Sequence, residues 1–157
     1  MSNLALPSLL PRVADNDYKG FKIALWLFGA VVLLKAIVGI NSTWMGYSVA
    51  SNADGIPLNT FPAEASREIV VLFAVMGVSQ LAICLICAMV LIRYRALIPF
   101  MFAVLLLEFL GRTLVRYLLP VSTAAAPGSW VTLALFVLIV AGFALSLFHR
   151  PGARATP

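Results

Sequence analysis

REIVVLFAVMGVSQLAICLICAMVLIRYRALIPFMFAVLLLEFLGRTLVRYLLP, residues 67–120, decides the fold. Residues 67–92 carry charge only at their start, on Arg67 and Glu68. A helix rising 1.5 Å per residue needs about 20 apolar residues to cross a hydrocarbon core ~30 Å thick, and this run is long enough. Arg93-Tyr94-Arg95 interrupts it, and a second apolar run follows at 96–119. So short a connection predicts that the two helices turn back on each other as an antiparallel hairpin.

The same pattern extends outward in both directions. Upstream, MGYSVASNADGIPLNTFPAEAS (45–66) is the only sizeable loop. Asp54-Gly55 and Pro57 are turn signals. Pro62 and Glu64 suit the first turn of the next helix, where a missing N–H and a negative charge are tolerated. Before the loop, residues 21–44 read as another spanning helix. They are too long for the apolar core of a signal peptide and contain Lys35, so the helix is expected to be retained. Downstream, 121–129 is a short turn and 130–148 a fourth span. Residues 1–20, broken by Pro7 and Pro11, form an N-terminal arm, in which Leu4, Leu6, Leu9 and Leu10 could lie at a membrane surface. Residues 149–157 form a C-terminal tail. The predicted fold is all-α: one domain over 21–148, an integral membrane antiparallel four-transmembrane-helix bundle. Gly29, Gly39, Gly77, Ala82, Gly111, Ala141, Gly142 and Ala144 would let its helices approach closely.

Composition agrees. Of 157 residues, 62% are hydrophobic and 11% charged, against about 45–50% and ~25% in soluble domains. The net charge of +5 would suggest nucleic acid in a soluble protein. Here the cations stand singly at the ends of apolar runs, so they read as topology determinants and no nucleic-acid partner is expected. Arg12, Lys19, Lys22, Arg93, Arg95, Arg150 and Arg154 fall on one side; Arg67 and, at its edge, Arg116 fall on the other. The positive-inside rule therefore predicts cytoplasmic N and C termini.

Catalytic signatures are missing from the sequence. His149 is the one histidine and Cys84 and Cys87 the only cysteines, too few for a zinc site of three or four ligands. No metal or other cofactor is expected, and no Ser/His/Asp set, phosphate-binding glycine loop or HExxH occurs. Cys84-Leu85-Ile86-Cys87 is a C-x-x-C whose sharper reading is a redox pair facing a quinone. Two small residues in an apolar helix are the simpler reading. Asn41-Ser42-Thr43 matches a glycosylation sequon but abuts a helix end.

The informative residues are charges inside the spans. Glu108, Arg112 and Arg116 stand at i, i+4 and i+8, on one helical face. Glu four residues before Arg is the favourable order for a helical pair. Arg116 is near enough to the surface to snorkel. Lys35 lies thirteen residues after Lys22, and Glu108 thirteen after Arg95, so both should sit at a similar depth in helices running the same way. A Lys35–Glu108–Arg112 cluster is predicted, supported by Asn41, Gln80, Thr113, Arg116 and Glu68. Ser42, Glu64 and Arg67 would continue a polar path outward, with Ser79 and Gln80 deeper. Each intramembrane charge costs at least ~2.5–3.5 kcal/mol. Either the cluster holds a small polar or amphiphilic ligand, or it is an ion-pair network that fixes helix register.

The segments Glu64-x-x-Arg67, Gly77-Val78-Ser79-Gln80-Leu81, Arg93-Tyr94-Arg95 and Glu108-Phe109-Leu110-Gly111-Arg112 carry a resemblance. Over about residues 21–148, a span set by the four helices, the chain resembles the small bacterial four-helix membrane proteins of the DoxX-like superfamily, particularly their DUF4345-type branch. Arg112 is the best-matched position. The resemblance implies a multi-pass bundle in the bacterial inner membrane and no established reaction. A non-catalytic role is expected: a small-ligand or lipid-binding protein, or an accessory subunit. Its partners would be the lipid bilayer, a lipid, quinone or small amphiphilic ligand, and copies of itself or a larger membrane complex. The alternatives are a proton-coupled transporter working as an oligomer around Glu108, and a membrane thiol/quinone oxidoreductase using Cys84 and Cys87.

Overall fold

A computed structural model of the chain describes residues 10–11, 14–18, 20–119 and 128–148. Most of the arm, the connection 120–127 and the tail 149–157 lie outside the described residues, and with them Leu4, Leu6, Leu9, Arg12, Lys19, His149, Arg150 and Arg154. Four long helices account for most of the rest: α1 (Lys22–Trp44), α2 (Ala63–Arg93), α3 (Ile98–Leu118) and α4 (Gly128–Leu147). All four are long and apolar enough to cross a membrane. No strand occurs among the described residues.

The helix ends follow local chemistry more closely than the apolar runs do. α2 starts at Ala63, four residues before the run at 67, because Pro62 supplies an extended N-cap and Glu64 occupies the first turn. The Ser66 hydroxyl donates to the Leu58 carbonyl at 2.8 Å and ties that turn to the preceding segment. α3 starts at Ile98, after a 3₁₀ turn at Arg95–Leu97, with Pro99 in its first turn. α4 is already helical at Gly128, where the described residues resume, two residues ahead of the expected 130.

The stretch read as a loop is largely helical. A single turn at Gly46–Ser48 runs into a π-helical turn at Val49–Ala53, and a 3₁₀ turn follows at Leu58–Thr60. Gly55, at φ 69°, makes the one left-handed step between them. Ala50 and Leu58 are buried, so the segment packs against the helices.

α1 is the hub. It packs most extensively on α2 and next on α4, while α3 leans mainly on α4. Along the α1–α2 seam, Gly29 faces Leu91, Gly39 faces Leu81 and Gln80, and Gly46 faces Val70. Sequence neighbours are not the closest partners at the tight Arg93-Tyr94-Arg95 connection: the α2 and α3 backbones stay mostly apart and the two helices meet through side chains. A short connection fixes only where two helices start, and α1 and α4 take up the contact surfaces.

The apolar core lies toward the end of the bundle holding that connection. Phe28 and Val31 of α1, Cys87 and Val90 of α2, Met101, Phe102 and Leu105 of α3 and Ile139 of α4 pack together. The rings of Phe28 and Phe102 meet edge-on at 5.0 Å, an arrangement aromatic quadrupoles favour. Gly142 lies directly against the Phe102 ring. Tyr18 leans on this core; its hydroxyl is buried with no partner among the described residues, and burial pushes its pKa up to about 12.

Burial along α3 falls in one direction. Ile98, Met101, Phe102 and Leu105 are buried, but every residue from Leu110 to Leu119 is exposed. Gly111, expected at a close helix approach, has nothing within 4 Å of where a Cβ would stand. Glycine there costs backbone entropy without allowing any contact. Gly111→Ala is expected to stabilise the protein by about 0.5–1 kcal/mol, read as a higher unfolding midpoint in detergent.

A polar cleft where the four helices part

Lys35 sits on the stripe that α1 buries, which runs Ala24, Phe28, Val31, Lys35, Gly39. Helical periodicity thus carries the ammonium into the position where the next core side chain would stand. Lys35 is only 8% exposed. Its Nζ donates to Glu108 Oε2 at 2.8 Å. One turn further along α3, Arg112 Nη2 stands 2.7 Å from Glu108 Oε1. The same nitrogen also donates to Gln80 Oε1 at 3.1 Å. Glu108 Oε1 is buried with no hydrogen-bond donor aimed at it among the described residues. One carboxylate therefore lies between two cations, and Gln80 joins α2 to the arrangement.

These groups border a cleft of roughly 120 Å³. All four helices contribute: Lys35 and Val38 from α1, Gln80 from α2, Phe109, Thr113 and Arg116 beside the Glu108–Arg112 pair from α3, and Thr132 and Leu135 from α4. On one side the Phe109 and Phe136 rings stack with centroids 4.8 Å apart. The Thr113 and Thr132 hydroxyls donate to carbonyls of their own helices, Phe109 and Gly128, and are not engaged by any base. Arg116, at the mouth, lies 3.9 Å from Asp54 of the α1–α2 connection. At that length between exposed side chains the pair adds little.

The structure brings together Lys35, Glu108, Arg112, Gln80, Thr113 and Arg116. It does not bring in Asn41 or Glu68, which are exposed and do not line the cleft; Glu64 and Arg67 are likewise exposed. At 100° per residue, two positions turn a side chain away: Thr43, not Asn41, faces α2, beside Gly77. Gln80 stands level with Gly39 and Arg112 rather than deeper. α2 is 31 residues long against 23 for α1, and Val70 already lies beside Gly46. The first turns of α2 therefore extend past the end of α1, which shifts Gln80 up to the cleft. The sequence holds no signal for Val38, Thr132 or Leu135, since nothing in their neighbourhood distinguishes them from the other positions of the apolar runs. The stretch around Asp54 carried a turn signal but no hint of Arg116.

Cys84 and Cys87 are free, buried, and do not line the cleft. The Gln80 amide approaches Cys84 Sγ at 3.8 Å, a weak contact. No group of three or more His, Cys, Asp or Glu able to hold a metal occurs among the described residues. Comparison of the chain with protein-family models, with curated proteins and with solved structures finds no match in any of the three.

Proposed function

We propose that the four helices cross a membrane as an antiparallel bundle and that the cleft around Lys35, Glu108 and Arg112 binds a small polar or amphiphilic ligand without transforming it. The Lys/Arg distribution supports cytoplasmic termini, which turns the cleft toward the outer half of the bilayer. The DoxX-like resemblance supports a bacterial inner membrane as the setting. One observation carries the binding reading: Lys35, Gln80, Glu108 and Arg112, already joined to one another, still border open space of roughly 120 Å³. On this measure a single water needs only ~10–15 Å³. An ion-pair network serving register alone has no need of that space. The threonine hydroxyls are held by their own helices, and no nucleophile in the cleft is paired with a base, which supports binding over catalysis.

Native mass spectrometry of the protein extracted in lipid particles tests this reading. A stoichiometric small molecule or lipid is expected on the wild type. Leu135→Phe narrows the cleft without touching a charge and should remove the adduct. A bare protein in both forms would leave the cluster as a register device. A reproducible protein partner, unaffected by Leu135→Phe, would move the function to the outer faces of the helices.

A further inference from the structure

Resting on the binding reading, the charge and donor balance of the cleft narrows the ligand class. Lys35, Arg112 and Arg116 bring three positive charges to its lining and Glu108 one negative charge, a surplus of two; Asp54, outside the lining, reduces it to one. Glu108 is already shared, with Oε2 on Lys35 and Oε1 against Arg112. Gln80 Oε1 is taken by Arg112 as well. Apart from Glu108 Oε1, which has a charge contact but no hydrogen-bond donor, and the threonine oxygens, the unused capacity is of donors. A guanidinium carries five N–H groups, and Arg112 Nε and Nη1 have no acceptor among the described residues. The Lys35 ammonium spends one of its three on Glu108. Cations in an apolar setting lacking acceptors are costly, and a bound anion offsets that cost.

The rest of the lining is apolar. Val38, Leu135 and Phe109, whose ring stacks on Phe136, border the same space. Beyond Arg112, Leu114, Val115 and Leu118 continue along the exposed half of α3. We propose that the cleft is an oxyanion site for an amphiphile: a phosphate or carboxylate headgroup held by Arg112 and Arg116, with its hydrocarbon against the apolar wall and the outer half of α3. Planar guanidinium groups suit this role because they pair with oxyanions through two parallel N–H donors. Glu108, neutralised by Lys35, then serves to aim Arg112 and does not repel the headgroup.

Arg112→Gln removes the surplus charge and leaves the 2.8 Å Lys35–Glu108 pair in place, so the variant is expected to fold. The protein is reconstituted in lipid particles of phosphatidylcholine with a minor fraction of phosphatidylglycerol, and retained lipid is counted by native mass spectrometry. The wild type should retain one phosphatidylglycerol in preference to phosphatidylcholine. Retention should fall by about ten- to a hundredfold in Arg112→Gln, as expected on losing a charge-assisted donor, and fall also in Leu135→Phe. Arg93→Gln, at the opposite end of α2, should retain the lipid and so excludes attraction by any surface cation. Inorganic phosphate added to particles of phosphatidylcholine alone separates the two sources of an oxyanion. A phosphate adduct lost in Arg112→Gln, with no preference for phosphatidylglycerol, would keep the oxyanion and overturn the amphiphile. Phosphatidylcholine retained equally by the wild type and Arg112→Gln but lost in Leu135→Phe would overturn the anion class and leave the cleft a binding site. No adduct in any form would overturn both readings.

Discussion

Glu108→Leu is expected to destabilise the protein by about 3–5 kcal/mol, the usual cost of breaking a buried ion pair from one side. Lys35 cannot recover by reaching solvent: it is 8% exposed and stands on the buried stripe of α1 between Val31 and Gly39. Arg112 would keep Gln80 but lose its neutralising neighbour. Glu108→Gln keeps an acceptor for the ammonium and should cost less. The decisive comparison is the double variant Lys35→Met with Glu108→Leu. Buried ion pairs replaced on both sides by apolar residues are often neutral or stabilising by about 1–4 kcal/mol. The double variant is therefore expected to regain most of the stability lost in Glu108→Leu while failing to bind ligand. Chemical unfolding of the wild type, Lys35→Met, Glu108→Leu and the double variant in mixed micelles gives the coupling energy directly. If the double variant is no more stable than Glu108→Leu, the pair is a structural necessity, and the case for a cluster kept for binding weakens.

The second large effect is steric. Gly142 of α4 lies flat against the Phe102 ring, so the Cβ of Gly142→Ala would overlap ring carbons. Phe102 is fully buried and meets Phe28 edge-on, which leaves the ring no free direction to move. Overpacking of this kind costs about 1–3 kcal/mol, sometimes more. Gly77→Ala should cost at least as much for a harder reason. Its Cβ would meet the Thr43 hydroxyl, the Gly39 carbonyl oxygen at 2.7 Å and the Thr43 backbone nitrogen at 2.8 Å. Backbone cannot rotate aside, so α1 and α2 would have to separate. A rescue experiment distinguishes the two: Phe102→Leu should relieve Gly142→Ala in part, whereas Thr43→Ala should give Gly77→Ala little relief. Equal rescue of both would show that the α1–α2 seam is softer than its spacing implies.

Much of this was legible in the sequence, and the limits have physical causes. Long apolar runs separated by turn residues specify four helices because a helix satisfies its own backbone whatever surrounds it. Lys35 and Glu108 could be paired by counting residues from the cationic ends of α1 and α3, since both helices begin near the same level. The same counting misplaced Gln80, because α2 extends beyond α1. Asn41 and Glu68 lie outside the cleft lining, because depth alone does not give rotation about the helix axis. Gly77, Gly142 and Gly111 look alike as small residues in apolar runs, yet two sit in tight seams and the third faces open space. Which faces meet depends on neighbour order, and the short Arg93-Tyr94-Arg95 connection suggested an α2–α3 pairing that α1 and α4 displace.

The wide spacing of the α2 and α3 backbones also bears on how the molecule is made. Synthesis proceeds from the N terminus, so α1 and α2 can complete their long seam while the rest of the chain is still unmade. α3 then emerges with only side-chain contacts to α1 and α2 available, and the helix its backbone lies closest to, α4, comes after it. Thr132, Leu135 and Phe136 all belong to that last helix. The wall that closes the cleft thus belongs to the last of the four helices to appear, and a chain interrupted before α4 would carry Lys35, Glu108 and Arg112 without the enclosure that makes them a site.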